Sequence, residues 1–236
     1  MSECSGCRPR RGRHPDPVRE MGWTLAPGVG FCIAGDEIVV LDLQTDRYLA
    51  LRGELCAAFH RLRANAPNDS DEMTGIVGTG LVTRCNGATV LEPPAVVVPH
   101  ADLEGSLRVR SGARMALSAV WHLNWARRAQ SSHRLAKTVA DLSNRKRILQ
   151  GSADEEDMTR IAACFASVRA LVPIRPRCLL DSLALLRLML RRGLAPTLVF
   201  GVRLEPFAAH CWLQSSERVL TGSVDDAHNF KPILVL

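Results

Sequence analysis

Apolar and polar positions divide the chain into four stretches. Residues 1–21 hold few apolar side chains and are rich in arginine, proline, glycine and serine, which predicts a disordered tail. Residues 22–90 begin with short β-branched runs and continue with apolar positions three or four apart. Residues 91–108 contain three prolines and predict a linker. Residues 109–236 start with helical periodicity and end with strand periodicity, so the whole pattern predicts an α+β fold.

The stretch 22–90 is predicted to contain three strands, two helices and a closing strand, the scale of a small domain. The predicted strands are Gly30–Ala34, Glu37–Leu43, Arg47–Leu51 and Leu81–Thr83. The predicted helices cover Leu55–Leu62 and Ser70–Thr79, with Asp69 or Ser70 as the cap of the second.

The stretch 109–236 is predicted to contain four helices followed by antiparallel strands. Asp154 is the expected N-cap of the third helix, and Gly193 ends the fourth. The predicted helices are Gly112–Ala129, Arg134–Gln150, Glu155–Leu171 and Cys178–Arg192. The predicted strands are Thr197–Leu204, His210–Gln214, Arg218–Leu220 and Ile233–Leu236.

Composition and charge exclude several classes of protein. With 47% hydrophobic and 23% charged residues, the chain is globular in composition. It has neither an apolar run of about 18–20 residues nor the apolar segment of a signal peptide, which favours a cytoplasmic protein without a membrane partner. The net charge of +6 is interpreted as a basic tail and solvated helix faces, because a single tyrosine and an acidic second helix do not suit a nucleic-acid surface.

The eight cysteines predict reduced thiols instead of disulfides in a chain of this length without a signal peptide. Cys4 and Cys7 form a CxxC pair, but no second pair follows at the spacing of a zinc finger. We therefore expect no metal site.

Cys178 is the leading candidate nucleophile because it stands where a proline-bounded extended segment turns into a helix. Free N–H groups and the partial positive charge of a helix N-terminus favour a thiolate and can stabilise an oxyanion. His210, on a following strand, is the candidate general base. From position alone, Cys178 could equally begin an apolar helix face, and His210 could be an ordinary strand histidine.

The residues around this pair resemble the C-terminal region of the lasso-peptide B proteins, which are transglutaminase-like cysteine peptidases with a papain-like fold. The resemblance rests on these residues of the sequence: Cys178-Leu179, Ser182-Leu183-Ala184-Leu185, Arg191-Arg192-Gly193, Gly201-Val202, Pro206-Phe207, Ala209-His210-Cys211-Trp212 and Phe230-Lys231-Pro232-Ile233. It implies Cys178 as nucleophile and His210 as base.

The same family places an aspartate after the histidine strand as the third member of a triad, often within an Asn-Asp pair. This sequence has Thr221-Gly222 there, so the expected acid is missing. Asp225 and Asp226 follow closely, and Asp225 is the expected substitute. A backbone carbonyl or a water molecule could orient His210 instead, and the two aspartates could simply belong to a solvated turn.

The stretch 22–90 resembles the small winged-helix-like domains that recognise leader peptides in peptide-modifying pathways. Matching segments are Val40-Leu41-Asp42-Leu43, Arg47-Tyr48-Leu49-Ala50-Leu51 and the helix with Phe59. Arg47, Tyr48, Leu49, Ala50 and Leu51 are the expected leader-binding strand, since a strand with an unpaired edge can accept an extended peptide. A groove between this edge and the helix at Ser70–Thr79 would contact the leader's side chains.

Together these resemblances imply a fused leader peptidase of lasso-peptide maturation. Its expected partners are a precursor peptide and an asparagine-synthetase-like lasso cyclase. No P-loop is present, so this chain is expected to bind no cofactor and any ATP to be used by the cyclase. Three alternatives remain: a transglutaminase-type acyl transferase, a non-catalytic leader-binding scaffold, and a DNA-binding winged helix, which the acidic helix disfavours.

Overall fold

The computed structural model describes residues 21–66, 69–103, 111–131, 134–149 and 154–236. The predicted tail lies outside the described residues except for Met21, which begins the first strand. The elements of the first half are β1 (Met21–Leu25), β2 (Val29–Ala34), β3 (Glu37–Asp42), β4 (Arg47–Leu51), α1 (Gly53–Arg63), α2 (Ser70–Gly78) and β5 (Val82–Asn86). Those of the second half are α3 (Ala113–Ala129), α4 (Leu135–Ile148), α5 (Glu155–Arg169), α6 (Cys178–Leu190), β6 (Thr197–Arg203), β7 (Ala208–Gln214), α7 (Val224–His228) and β8 (Lys231–Val235).

These elements form a mixed structure of helices and three antiparallel sheets. The strand orders are β1-β5, β2-β3-β4 and β7-β6-β8. The order predicted from the sequence is confirmed with two additions, β1 and α7, and one loss. Arg218–Leu220 makes only isolated bridges, in which Arg218 pairs with Ala101 and Val219 with Gln214, and it forms no strand.

Strand β3 is buried on both of its faces. Ile38 and Val40 belong to a core that contains Phe59 of α1 and Ile76 of α2. Val39 and Leu41 belong to a second core that also contains residues of α3, α4, α5 and α6. Because successive side chains of a strand point to opposite faces, this single strand contributes to both cores. The middle sheet is therefore a layer that the two halves of the chain share.

The contact between the two halves is close where β2 meets β8. A Cβ atom added to Gly30 would clash with the carbonyl oxygen of Ile233 and would lie 2.9 Å from the Cβ of Leu234. The absence of a side chain at Gly30 thus lets the two backbones approach.

The described part of the predicted linker, up to residue 103, is bound along the C-terminal half. The carbonyl of Val97 accepts a hydrogen bond from Gln214 Nε2 (2.8 Å), and that of Ala101 accepts one from the backbone N–H of Val219 (2.8 Å). Val96 and Val98 pack on the cluster that contains Trp212. This segment is a strap on the C-terminal sheet and not a free connection.

His122 of α3 is buried, with 2% of its surface exposed, and its Nδ1 has no hydrogen-bond partner. Burial lowers the pKa of His122 to about 4, and the positive charges of Arg187, Arg191 and Arg192 add to the effect. Across the described part of the chain, no helix combines the length and apolar character that a bilayer span requires.

Replacing Gly30 with alanine is expected to lower the free energy of unfolding by about 1–3 kcal/mol, because the added methyl group overpacks the β2–β8 contact. Urea denaturation measures the change. Gly75→Ala is the matched control, since a Cβ there meets only Leu55 Cδ2 at 3.7 Å and alanine favours the helix. Equal stability of the Gly30→Ala and wild-type proteins would contradict the close approach.

Acidification from pH 7 to pH 5 is expected to cost about 2 kcal/mol of stability through His122. The pKa is near 6.5 in the unfolded chain and lower in the fold, so the unfolded state binds the proton more readily as the pH falls through this window. Denaturation at the two pH values, compared with His122→Leu, isolates the contribution. The same pH dependence in the variant would show that His122 is not its source.

Candidate functional site

Cys178 is the first residue of α6, and its side chain is exposed although the rest of that helix is largely buried. The preceding residue, Arg177, is extended (φ −147°, ψ 135°) and provides no side-chain cap. The N–H groups of the first turn are therefore available to a ligand. Among the described cysteines only Cys178 is exposed, which argues against the interpretation that it merely begins an apolar face.

His210 lies on β7, directly opposite Gly201 of β6. Its ring is nearly parallel to that of Trp212, with centroids 5.8 Å apart, and lies 5.1 Å from that of Phe230. A Cβ on Gly201 would come within 2.8 Å of Trp212 and 2.9 Å of Phe230. A glycine opposite the histidine is thus what allows this stack of rings to form.

The Nε2 atom of His210 is buried and has no hydrogen-bond partner. It faces Gly222, where a Cβ would lie 3.4 Å from Nε2 and 3.8 Å from Cε1. Gly222 is the position at which the resemblance implies an aspartate. A side chain at this position would therefore lie beside the Nε2 atom of His210.

Burial lowers the pKa of His210, and the negative charge of Asp226 opposes that shift. A lowered pKa keeps the imidazole neutral near pH 7, which is the form that a general base requires. Asp225, the predicted third member, is not among the groups whose charge acts on His210. Asp226 occupies that electrostatic role from α7, where it also bonds the cap residue Ser223. Within the described residues, no hydrogen bond joins either aspartate to the His210 ring, so Asp225 as the orienting acid stays a prediction.

A short hydrogen-bond network connects the helix of Cys178 to the strand of His210. Ser182 Oγ donates to the carbonyl of Cys211 (3.2 Å) and lies 2.8 Å from Thr221 Oγ1, which accepts from the N–H of Leu213 (2.8 Å). The network fixes α6 against β7 and holds the residue before Gly222. Ser182 and Thr221 both stand in segments noted in the sequence analysis. Their hydrogen bond could not be predicted there because it depends on tertiary structure.

Two further ionisable residues lie next to Cys178 or His210 in sequence or structure, namely Asp181 and Cys211. Asp181 pairs with Arg169 of α5 (2.6 Å), so it is committed to an ion pair; burial raises its pKa and Arg169 opposes the rise. Cys211 is buried, and burial raises the pKa of its thiol well above the usual value. The charge of Cys178 adds to that rise, which places Cys178 within electrostatic reach of the residue next to His210.

The predicted leader-binding strand is β4, at one edge of the middle sheet. Arg47, Leu49 and Ala50 are exposed, Tyr48 is half-buried and Leu51 is buried. A cleft of about 450 Å³ with a largely acidic lining lies between α1 and α2. None of residues 47–51 lines this cleft, so it is a different surface from the groove predicted between the β4 edge and α2, which stays a prediction.

No group of three or more histidine, cysteine, aspartate or glutamate residues in the described ranges is arranged to hold a metal ion.

Comparison with known families agrees with this geometry. Residues 119–235 match the family described as the transglutaminase-like superfamily. Searches of curated proteins and of solved structures give no match. Residues 119–235, from within α3 to the end of β8, therefore form a transglutaminase-like domain.

Replacing Gly222 with aspartate is expected to raise the pKa of His210 by at least about one pH unit, because a carboxylate beside Nε2 stabilises the imidazolium. At φ +80° an aspartate is better tolerated than most side chains. Histidine NMR titration measures the pKa. Gly222→Asn, which adds a similar side chain without charge, is the matched control and should raise it much less. An unchanged pKa in Gly222→Asp would contradict the assigned position.

Proposed function

We propose that this transglutaminase-like domain is a cysteine peptidase that releases the leader from a precursor peptide. One observation carries the proposal: an exposed cysteine at an uncapped helix N-terminus belongs to the helix that is bonded to the strand of a half-buried histidine, whose pKa is lowered by burial. This arrangement suits acyl-enzyme chemistry on a peptide bond.

In the proposed reaction, His210 takes the proton of Cys178 and the thiolate attacks the scissile carbonyl. The free N–H groups at the start of α6 stabilise the oxyanion. Because Nε2 is buried against Gly222, Nδ1 is the nitrogen left to serve the thiol. The imidazolium then donates its proton to the leaving amine, and a thioester forms. Water attacks the thioester, releases the acid product and returns the proton to the thiol.

We assign leader binding to the winged-helix-like N-terminal half. Strand β4 has an unpaired edge with exposed residues, which supports addition of an extended peptide. The shared middle sheet supports a single enzyme in which recognition and cleavage are held together. By the resemblance to lasso-peptide B proteins, the substrate is a lasso precursor in the cytoplasm, and an asparagine-synthetase-like cyclase uses ATP to close the released core.

A second candidate function is a leader-binding scaffold without catalysis. The unpartnered Nε2 of His210 beside Gly222 favours it, because a triad acid is absent from that position. Acyl transfer to an amine uses the same Cys–His chemistry and differs only in the group that attacks the thioester.

Mass spectrometry of a cognate precursor mixed with this protein and its cyclase tests these functions. We expect wild type to release the leader, Cys178→Ala to release none, and His210→Ala to be slower by about 10²–10⁴-fold, the usual contribution of a general base. Cys85→Ala, a half-buried cysteine on β5, is the matched control and should behave as wild type.

Two further variants compare the acids near His210. Asp225→Ala tests the acid predicted from sequence and Asp226→Ala the acid whose charge acts on His210; we expect the larger loss for Asp226→Ala. If the precursor binds to wild type but stays intact, the peptidase function is contradicted and the scaffold function is supported. If the product is joined to an added amine, the reaction is acyl transfer and not hydrolysis.

A further inference from the structure

Tyr48 joins the N-terminal sheet to the surroundings of the candidate nucleophile. It lies on β4 and packs against the core of the C-terminal half. Its ring meets Phe207 edge to face, with centroids 5.7 Å apart and an interplanar angle of 70°. Phe207 lies in the turn between β6 and β7, three residues before His210. The aromatic pair Tyr48–Phe207 therefore connects the two halves beside the strand that carries the base.

The Tyr48 phenol is uncharged at neutral pH. Burial raises the pKa of this phenol, and Cys211, Asp46 and Cys178 raise it further where they are ionised. The half-buried ring that packs against Phe207 therefore presents an uncharged surface.

Phe207 is exposed to solvent, with 57% of its surface accessible. The half-buried ring of Tyr48 packs against the ring of Phe207. An exposed aromatic surface beside the strand that carries His210 costs solvation free energy that a substrate side chain can recover by covering it.

We propose that Tyr48 and Phe207 form a binding site for an apolar or aromatic side chain of the substrate peptide next to the scissile bond. The inference rests on the proposed peptidase function and adds a preference to it. Since Tyr48 belongs to the edge strand β4, the N-terminal half contributes directly to the cleavage site. The part of the substrate peptide that binds to β4 and the scissile bond would then lie within one short stretch of that peptide.

A leucine or phenylalanine side chain that covers an open apolar surface recovers part of its burial free energy. A preference of about tenfold in rate, equivalent to about 1.4 kcal/mol, is therefore expected for a reactant with such a side chain over one without.

Alkylation of Cys178 tests the site without requiring catalysis. The thiolate displaces iodide from iodoacetamide or from N-phenethyl iodoacetamide, forming a C–S bond as the C–I bond breaks. Peptide mapping by mass spectrometry gives the rate at Cys178 for each reagent. Relative to their rates with free cysteine, we expect wild type to favour the phenethyl reagent about tenfold, and Phe207→Ala and Tyr48→Ala to lose most of this preference.

Tyr48→Phe keeps the ring and should keep the preference. Ile148→Ala, which truncates an exposed apolar residue of α4, is the matched surface control and should also keep it. Because Phe207 is exposed, Phe207→Ala remains informative where Tyr48→Ala disturbs folding, which circular dichroism reports. Equal rates for the two reagents in folded wild type, or an unchanged preference in folded Phe207→Ala, would overturn the proposal.

Hydrolysis of short coumarin amides separates this inference from the peptidase function. Substrates with phenylalanine, leucine or glycine before the scissile bond should show the same order of kcat/KM, and Phe207→Ala should lower kcat/KM of the phenylalanine and leucine substrates to about that of the glycine substrate. A preference in alkylation without any hydrolysis would support the binding site and contradict the proposed peptidase function. Hydrolysis without a side-chain preference would support the peptidase function and contradict the binding site.

Discussion

The burial of β3 on both faces is the constraint on which the rest of the molecule depends. Val39 and Leu41 are held by the helices of the C-terminal half, and Ile38 and Val40 by α1 and α2. The two cores are therefore formed around the same backbone, and neither can be completed without it. This arrangement orients β4 relative to α6, and Tyr48 of β4 packs against the core to which α6 contributes.

The candidate site is stabilised by hydrogen bonds that lie behind the reactive atoms. Ser182, Thr221 and the backbone of β7 hold the helix and the strand in one register. The stacked rings around His210 exclude water from Nε2, so the base is positioned by packing on one side and by backbone bonding on the other. An orienting carboxylate is less necessary for a thiol than for a hydroxyl, because a thiol ionises more easily.

Much of the fold could be predicted from sequence because it depends on local rules, including the positions of Cys178 at a helix start and of His210 on a following strand. The proline-bounded turn before Cys178 marks a helix start, and Asp69 and Asp154 cap their helices as expected. The dual role of β3 could not be predicted, since a continuous apolar run indicates burial but not the partners on each face. The hydrogen bond between Ser182 and Thr221 joins residues that are 39 positions apart, so no local sequence pattern indicates it. Ser223 could have been predicted as the N-cap of α7, because it lies three residues before Asp226, from whose N–H it accepts a hydrogen bond.

Gly222 has a consequence for how such a site changes over time. Glycine and aspartate codons can differ by a single base, and the backbone around Gly222 is already held by Thr221 and by the cap of α7. An acid can thus be gained or lost beside His210 without rebuilding the loop that carries it. Under the proposed function, a site with two catalytic side chains and a site with three then differ by one substitution at this position.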